Sequence, residues 1–352
     1  EQIVYISSAS GELQAWIMQG DGSSKKQISE VEGGLSGLAF SPDGSKVLYT
    51  KDVKIKKNAQ ELHSDLPLSD GRIINELMYR HWDTWEDGAY SHVFVADFDG
   101  SFSDGTDLMP DEPYDSPMKP FGGLEEVAWA PDGKSIAYTC KKMTGVEYSF
   151  STDSDVYLYE LESGKTLNLT EGMPGYDRVP FFSPDGSKMY WHSMERAGYE
   201  ADKERLFELD LASGKKRYLT PDFDYSPFGE IWADDGEHLY FVCAVNSEHH
   251  IYKMNVSSLQ IEAVTKGMYD YHSVALAGDR LIATRVDMTK PQEIYDVDPS
   301  TGEATEISYE NKHLLDHLNM PNVVIRWVTA VDTQQRLVWV VGAPNVDRSD
   351  LY

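Results

Sequence analysis

The stretch FSPDGSKVLYT, which begins at Phe40 and ends at Thr50, decides the fold because it recurs along the chain. Its copies are WAPDGKSIAYT from Trp129, FSPDGSKMYWH from Phe182, WADDGEHLYFV from Trp232 and the degenerate LAGDRLIATRV from Leu276. Apolar and polar residues alternate on both sides of each turn, and this period of two predicts a pair of half-buried strands. Each copy therefore predicts a hairpin, and the recurrence predicts a repeat architecture.

The turn residues support the hairpin interpretation. Proline at the second turn position, as in Pro42, Pro131 and Pro184, fixes the backbone angle φ that this position requires. The glycines that follow accept a positive φ without a steric penalty. These are Gly44, Gly133, Gly186 and Gly236.

A second alternating hairpin follows each first one, as in VYLYELESGKTLNLT from Val156 and LFELDLASGKKRYLT from Leu206. Two hairpins give four antiparallel strands per repeat. The turn glycines Gly133, Gly186 and Gly236 lie 53 and 50 residues apart, a spacing that favours one propeller blade per repeat over a sandwich. The predicted fold class is all-β, a β-propeller of four-stranded antiparallel blades.

Two irregularities interrupt the repeat. The first spacing, from Gly44 to Gly133, is 89 residues, so roughly forty extra residues are expected between two strands of one blade, at 51–91. The opening residues match a blade without its first strand. We therefore expect about five complete blades and a partial one, with the chain beginning inside a blade.

Composition excludes several classes of protein. With 352 residues, 41% hydrophobic content and 31 basic against 59 acidic residues, the chain has a formal charge of −28. Such a charge disfavours nucleic acid and anionic membranes as partners. It has no apolar run of eighteen residues, so no membrane-spanning helix is expected, and its opening residues do not resemble a secretion signal, so any such signal is expected to have been removed or not included. Its two cysteines, Cys140 and Cys243, lack metal-ligand spacing and are expected to be free and buried; no metal or cofactor is predicted.

The SPDG-type repeats resemble those of TolB-like propellers and of the N-terminal propellers of prolyl oligopeptidase family serine peptidases. Two segments narrow the resemblance. RIINELMYRHWDTWEDGAYSHVFVAD, from Arg72 to Asp97, and NKHLLDHLNMPNVVIRWVTAVDTQQRLVWVVGAPN, from Asn311 to Asn345, resemble the bacterial dipeptidyl peptidase V group of that family. One departure is Thr333-Gln334-Gln335, where the group usually has an Asp-Gly turn.

This resemblance implies a propeller over residues 1–320, with seven blades in the longer protein, and connecting strands over 321–352 that lead to an α/β-hydrolase domain. It further implies short peptides as substrates, the chain's own C-terminal hydrolase domain as partner, a homodimer as one option, and a periplasmic or secreted location. The propeller would restrict access to the active site and bind the free N-terminus of the peptide.

The catalytic signature of such peptidases is not found in this sequence. A nucleophilic serine of that type lies on a G-x-S-x-G turn, and the nearest match, GGLSGL around Ser36, lacks the last glycine. The chain alone is therefore expected to have no hydrolytic activity. The histidines are expected to be surface or cross-strand residues, including His249 and His250, and the aspartates around Asp97 to Asp107 to form a solvated turn.

Within the insertion, Ser69 or Asp70 can cap a short helix. Apolar residues at helical spacing would line that helix: Ile73, Ile74, Leu77, Met78, Trp82 and Trp85. One interpretation is that this stripe packs on the propeller. The resemblance supports another, because such insertions supply a carboxylate for the α-amino group of the substrate. Glu86 and Asp83 are the candidates, flanked by Trp82, Trp85, Tyr79, Arg80 and His81, since a buried ammonium needs an anion and gains from aromatic rings.

Two other functions remain open. A stand-alone TolB-like propeller would bind protein partners on its rim. A WD-repeat scaffold is disfavoured because the GH and WD signatures are missing. Finding G-x-S-x-G downstream in the parent open reading frame would favour the peptidase.

Overall fold

The computed structural model describes residues 2–344 and divides them into two compact units, Glu1–Tyr218 and Leu219–Tyr352. The end of the segment 321–352, from Asn345 onward, lies outside the described residues. Each unit is built almost wholly of short antiparallel strands, which agrees with the alternating pattern of the repeats.

The first unit contains nineteen described strands and two helices. In chain order its strands are β1 (Gln2–Ser7), β2 (Gln14–Gln19), β3 (Lys26–Gln27), β4 (Ser29–Glu30), β5 (Gly37–Phe40), β6 (Lys46–Lys54), β7 (Arg80–His81), β8 (Thr84–Trp85), β9 (Ala89–Asp97), β10 (Phe102–Ser103), β11 (Thr106–Asp107), β12 (Val127–Trp129), β13 (Ser135–Cys140), β14 (Asp155–Glu160), β15 (Lys165–Asn168), β16 (Asp177–Phe182), β17 (Lys188–Ser193), β18 (Arg205–Asp210) and β19 (Lys216–Tyr218). The helices are α1 (Ala59–Leu62) and α2 (Gly145–Phe150), and a 3-10 turn spans Leu124–Glu126.

Fifteen of these strands form three four-stranded antiparallel sheets and one of three strands, while β4 pairs with β10 in parallel and β7 pairs with β8. The neighbours are β5-β6-β9-β11, β12-β13-β14-β15 and β16-β17-β18-β19, with β1-β2-β3 as the three-stranded sheet. The opening strands thus pair as a blade without its first strand. Four strands per repeat, as the sequence predicted, is confirmed in this unit.

The second unit repeats this plan. Its strands are β20 (Pro227–Trp232), β21 (His238–Val245), β22 (Glu248–Asn255), β23 (Ile261–Ala263), β24 (Asp270–Ala277), β25 (Arg280–Asp287), β26 (Lys290–Val297), β27 (Ala304–Glu306), β28 (Asn322–Thr329) and β29 (Gln335–Gly342), and its helix is α3 (Lys312–Leu315). The sets β20–β23 and β24–β27 form two four-stranded sheets, joined by one parallel pair between His249 and Asp270, while β28 and β29 pair with each other. Within residues 2–344, no helix has the length and apolar content needed to cross a bilayer.

The repeat turns have the chemistry that the sequence predicted. Gly44 and Gly186 have φ of 70° and 71°, and Gly278 of the degenerate copy has 62°. Asp43 completes the first turn, because its Oδ1 accepts from the Ser41 hydroxyl at 2.7 Å and from the Ser45 backbone N–H at 3.0 Å. An Asx turn of this kind replaces backbone hydrogen bonds that the tight reversal cannot make.

The threonine that ends each repeat also has a structural role. Thr170 is fully buried, accepts from the Val156 N–H at 3.0 Å and donates to Asp155 at 2.8 Å. Thr265 accepts from the Ile251 N–H at 3.0 Å in the same manner. Each hydroxyl thus satisfies a buried donor on the third strand of its blade.

The core lies between and within the sheets, and both cysteines belong to it. Cys140 and Cys243 are free and buried, as predicted.

Two expectations about polar residues were wrong. His250 is buried rather than on the surface, whereas His92 is a buried cross-strand residue of β9. Asp107 is not part of a solvated turn, because its carboxylate lies 2.8 Å from His92 Nδ1 and accepts from the Met109 N–H at 2.8 Å.

The insertion between β6 and β9 differs from its predicted form. Its helix is α1, capped by Asn58, and no helix covers the stretch after Ser69. There the chain runs without regular structure into the β7–β8 hairpin, whose turn includes Trp82 with φ of 48°. The physical reason is packing: a short helix needs its apolar face buried, yet Ile73 and Ile74 are each 50% exposed.

Candidate functional site

The insertion and two neighbouring loops of the first unit form a small recess that is lined by three carboxylates. Its volume is about 60 Å³, which suffices for a group of a few non-hydrogen atoms. The carboxylates are Glu76, which pairs with Lys56, and Glu86 and Asp115, which do not. The wall includes Lys56, Leu77, Met78, Tyr90, Tyr114, Met143 and Tyr148.

The neck of the insertion places Glu86 at this recess. The carbonyl oxygen of Gly88 accepts from the N–H groups of Ile55 and Lys56 at 2.9 and 3.0 Å. Gly88 has φ of +85°, and a Cβ at this position would lie 2.3 Å from the Lys56 carbonyl oxygen. Only glycine permits this close approach. The Glu86 N–H donates to Tyr79 O at 3.0 Å, which extends the β7–β8 hairpin by one further hydrogen bond.

The carboxylate of Glu86 is available for a ligand. Among the described residues it accepts no hydrogen bond and forms no ion pair. Although Glu86 as a whole residue is exposed, protein atoms crowd its carboxyl group, and this desolvation raises its pKa, with the negative charge of Asp115 as the second cause. A positive ligand would relieve both effects.

Asp115 occupies the loop that leads from β11 towards β12. Its Oδ1 accepts from the Ser91 N–H at 2.8 Å and lies 3.4 Å from Lys119 Nζ. Lys119 is shared, because it lies 3.1 Å from Asp52 and donates to the Ala89 carbonyl. Burial raises the pKa of Asp115 in spite of Lys119. The lysine therefore orients this carboxylate without neutralising it fully.

Helix α2, inserted between β13 and β14, supplies the aromatic wall of the recess. Tyr148 lies on this helix and contacts Lys141 in two ways. Lys141 Nζ donates to Tyr148 O at 2.6 Å and lies 4.1 Å from the centre of the Tyr148 ring. Burial raises the pKa of the Tyr148 hydroxyl, and the charges of Asp115 and Glu86 contribute. The phenol therefore stays neutral beside the two carboxylates.

The recess has a cation of its own, which is already paired. Lys56 Nζ lies 3.4 Å from Glu76 Oε1 and 5.8 Å from the ring centre of Tyr90. Glu86 and Asp115 therefore add negative charge that Lys56 does not balance.

The other residues predicted from the sequence lie around the recess rather than in its wall. Asp83 and Trp82 form the exposed turn of the β7–β8 hairpin, where Trp82 is 65% exposed and contacts Phe121 edge-on at 5.2 Å. The ring of Trp85 receives two guanidinium groups, with Arg72 at 4.3 Å and Arg80 at 5.4 Å, and lies 6.2 Å from Tyr79. The aromatic rings next to the carboxylates are thus tyrosines.

Sequence reasoning missed Asp115 and Tyr148. The signal for Asp115 was the segment Glu112 to Pro117, EPYDSP, in which prolines flank an acid and an aromatic residue. The signal for Tyr148 was the extra length between β13 and β14. Neither signal says which residues meet, because these loops are separated in sequence and brought together only by the pairing of strands.

The arrangement can bind a cation but offers no chemistry of its own. Within residues 2–344, no group of three or more His, Cys, Asp and Glu side chains is arranged to hold a metal ion. Two carboxylates with raised pKa, beside three tyrosine rings, have the charge and the aromatic surroundings that a small organic cation such as an ammonium group requires.

Comparison with known proteins places this site in context. The family model described as TolB beta propeller domain matches residues 123–340. The chain is 42% identical over 353 residues to a protein named Dipeptidyl-peptidase 5 from Porphyromonas gingivalis, and the alignment covers 100% of this chain and 52% of that protein. The chain thus spans about half the length of the curated relatives it matches. The resemblance inferred from the repeats is confirmed.

Solved structures give the same fold. An acylaminoacyl peptidase in complex with Z-Gly-Gly-Phe-chloromethyl ketone superposes with a TM-score of 0.74 at 15% identity, covering 99% of this chain and 49% of that one. The β-propeller domain of the Trilobed protease from Pyrococcus furiosus gives a TM-score of 0.57 at 14% identity, covering 90% of this chain and 81% of that one. At such identities the likeness establishes the propeller fold alone.

Proposed function

Because the chain belongs to the TolB β-propeller domain family, we propose that it is the propeller domain of a serine-type dipeptidyl peptidase, in which Glu86 and Asp115 bind the free N-terminal ammonium of a peptide. The full-length alignment with half of a dipeptidyl-peptidase 5 supports this assignment. Catalysis belongs to a hydrolase domain of the longer protein, and the propeller limits access to short peptides. We place that protein in the periplasm or outside the cell.

The observation that carries the proposal is the convergence of two carboxylates on one recess. Glu86 accepts no hydrogen bond from the described residues, and the pKa of both carboxyl groups is raised. Two like charges in a crowded site repel each other, and Lys119, which pairs with Asp115 and is shared with Asp52, offsets this repulsion only in part. An α-ammonium group donates three hydrogen bonds and carries the required charge. The rings of Tyr90, Tyr114 and Tyr148 add cation-π attraction.

Recognition of the amine explains a dipeptidyl specificity in physical terms. If the ammonium is fixed at Glu86 and Asp115, only the peptide bond at one distance from the N-terminus reaches the nucleophile. A blocked N-terminus has no ammonium group for the carboxylates, and it leaves Glu86 without a partner and Asp115 with Lys119 alone. Peptides with a free amine are thus selected over acylated ones.

The test compares variants of the full-length protein on a dipeptidyl chromogenic substrate. Each charge-assisted hydrogen bond contributes about 1.5–3 kcal/mol, so Glu86→Gln and Asp115→Asn are each expected to raise KM by roughly 10- to 100-fold. Asp83→Asn is the matched control, since Asp83 was the second sequence candidate and lies on the exposed turn. Its kinetics are expected to stay near those of the wild type.

A second measurement needs only this chain. Calorimetric titration with Ala-Ala-amide should give binding that is lost on N-acetylation of the ligand and in Glu86→Gln. Equal binding of the free and acetylated ligands would refute the amine site. A full-length protein without a G-x-S-x-G segment or without peptidase activity would instead refute the enzyme and favour a stand-alone binding module.

A further inference from the structure

The sheet β24–β27 of the second unit contains an arginine in aromatic surroundings. Arg285 lies on β25, and its Cζ is 3.6 Å from the ring centre of Tyr295 and 3.9 Å from that of Tyr269. Its Nη1 lies 3.4 Å from the hydroxyl oxygen of Tyr271. We call these four residues the Arg285 cage. Tyrosine faces stabilise a guanidinium group and fix its plane.

The guanidinium has no counter-ion within the described part of the chain. No carboxylate oxygen there lies within the 4.0 Å of an ion pair, and the groups that stack on the guanidinium or bond to it are tyrosines. Arg280, on the same strand, has two carboxylate partners, with Asp296 at 2.7 Å and Asp298 at 2.9 Å. Arg285 differs from Arg280 because tyrosine rings take the place of acids around its guanidinium.

The acid that strand register places opposite Arg285 is committed elsewhere. Glu293 pairs with Arg285 across β25 and β26. Its Oε1 accepts from Asn311 N and Nδ2 at 3.0 and 3.1 Å, and its Oε2 accepts from the Ser308 hydroxyl and from Glu310 N. These bonds lower the pKa of Glu293 to about 2. The carboxylate therefore ties down the segment after β27 and leaves the cage unneutralised.

The free edge of the guanidinium faces water. Arg285 is half-buried, and none of its nitrogen atoms is among the buried polar atoms without a partner in residues 2–344. The N–H groups not bonded to Tyr271 are therefore accessible. A guanidinium presents five donors in a planar fork that matches the two oxygens of a carboxylate. Because the tyrosine rings already fix the plane of the guanidinium, the Arg285 side chain loses less conformational entropy when a ligand binds.

We propose that the Arg285 cage binds a carboxylate group of a peptide or protein ligand, through two parallel hydrogen bonds from Arg285. The carboxylate comes from a C-terminus or from an Asp or Glu side chain. This site is independent of the amine recess, because a ligand without any free amine meets its requirements.

The experiment measures saturation-transfer NMR from the protein to three N-acetylated peptides, none of which carries a cationic amine. Acetyl-Gly-Ala has a free C-terminus, acetyl-Gly-Ala-amide has no carboxylate, and acetyl-Glu-Ala-amide has a side-chain carboxylate. We expect transfer to one or both of the acids and none to the neutral amide. The acid that gives the stronger signal identifies the source of the carboxylate.

Three variants decide whether Arg285 is responsible. Arg285→Gln should abolish transfer to the acids, and Arg285→Lys, which keeps the charge but loses the planar fork, should weaken binding about tenfold. Arg280→Gln removes the same charge from the same strand and should bind like the wild type. Should Arg285→Gln fail to fold, as judged by its urea midpoint, the Arg285→Lys result decides alone.

Several outcomes would overturn the proposal. These are equal transfer to the amide and the acids, undiminished binding in Arg285→Lys, loss of binding in Arg280→Gln, and absence of transfer to every peptide. Equal competition by sulfate and acetate would also overturn it, since a site built for planar carboxylates should prefer acetate. In each of these cases the residues of the Arg285 cage only stabilise the sheet and bind no ligand.

Discussion

Replacement of Glu126 by glutamine tests whether a buried acid of the first unit is protonated. Glu126 ends the 3-10 turn before β12 and is 1% exposed. Its Oε2 accepts from Met118 N at 2.7 Å, while its Oε1 is buried without a partner among the described residues. Burial raises its pKa from 4.5 to about 7, against the effects of Met118 and Arg178.

The sign of the pH effect follows from these values. Between pH 4.5 and about 7 the folded chain keeps a proton on Glu126 that the unfolded chain releases, so the free energy of unfolding falls as pH rises through this window. The difference in pKa corresponds to about 3 kcal/mol, lost in full above pH 7. Glu126→Gln is neutral at every pH and keeps an acceptor for Met118. It should match the wild type near pH 5 and exceed it by up to about 3 kcal/mol near pH 8.

Urea unfolding followed by tryptophan fluorescence at the two pH values measures this difference. Glu125→Gln is the matched control, because the neighbouring Glu125 is exposed and its replacement should change stability by less than about 0.5 kcal/mol. Asp177, whose pKa burial also raises to about 7, keeps some pH dependence in every variant. Equal destabilisation of Glu126→Gln at both pH values would refute the reasoning and would mean that Glu126 is ionised and stabilised by Arg178.

Three further outcomes are expected. Gly88→Ala forces a Cβ against the Lys56 carbonyl oxygen at a positive φ. The thermal midpoint of this variant should therefore fall, and its binding of Ala-Ala-amide, measured by calorimetry, should weaken. Unchanged binding would show that the neck of the insertion does not place Glu86. Thr170→Val leaves the buried Val156 N–H without its acceptor and should cost about 1–3 kcal/mol in urea unfolding, whereas a neutral result would mean that water replaces the hydroxyl. Because the pKa of Glu86 is raised, amine binding should weaken as pH falls and the carboxylate takes up a proton, and a dissociation constant that is flat with pH would contradict this.

The pattern of residues within each repeat was sufficient to predict the blades. Alternation around SPDG, with its proline and glycine, encodes a hairpin whose turn geometry is local, and Gly44 and Gly186 adopt the φ that was expected. The two buried thiols followed from their equivalent positions in two repeats. Local signals work here because strand direction, turn type and side-chain alternation depend on neighbouring residues.

The insertion shows where such reasoning fails. Apolar residues at helical spacing predicted a helix after Ser69, but the structure has irregular chain and a short hairpin there. Periodicity predicts a helix only if a surface exists to bury its apolar face, and that surface is a property of the tertiary structure. The burial of His92 is likewise a property of the tertiary structure, in which its Nδ1 lies 2.8 Å from the carboxylate of Asp107.

The sequence by itself determined the repeat, the all-β class and the position of the insertion, in which Glu86 was among the carboxylates proposed to bind substrate. Only the tertiary structure decided that Asp115 and Tyr148 join Glu86, that Asp83 lies on an exposed turn, and that Arg285 has no acid partner while Glu293 is bound elsewhere. The physical reason is distance along the chain. Contacts between residues thirty or sixty positions apart depend on which strands pair and how loops fold over them, and a local pattern carries no record of either.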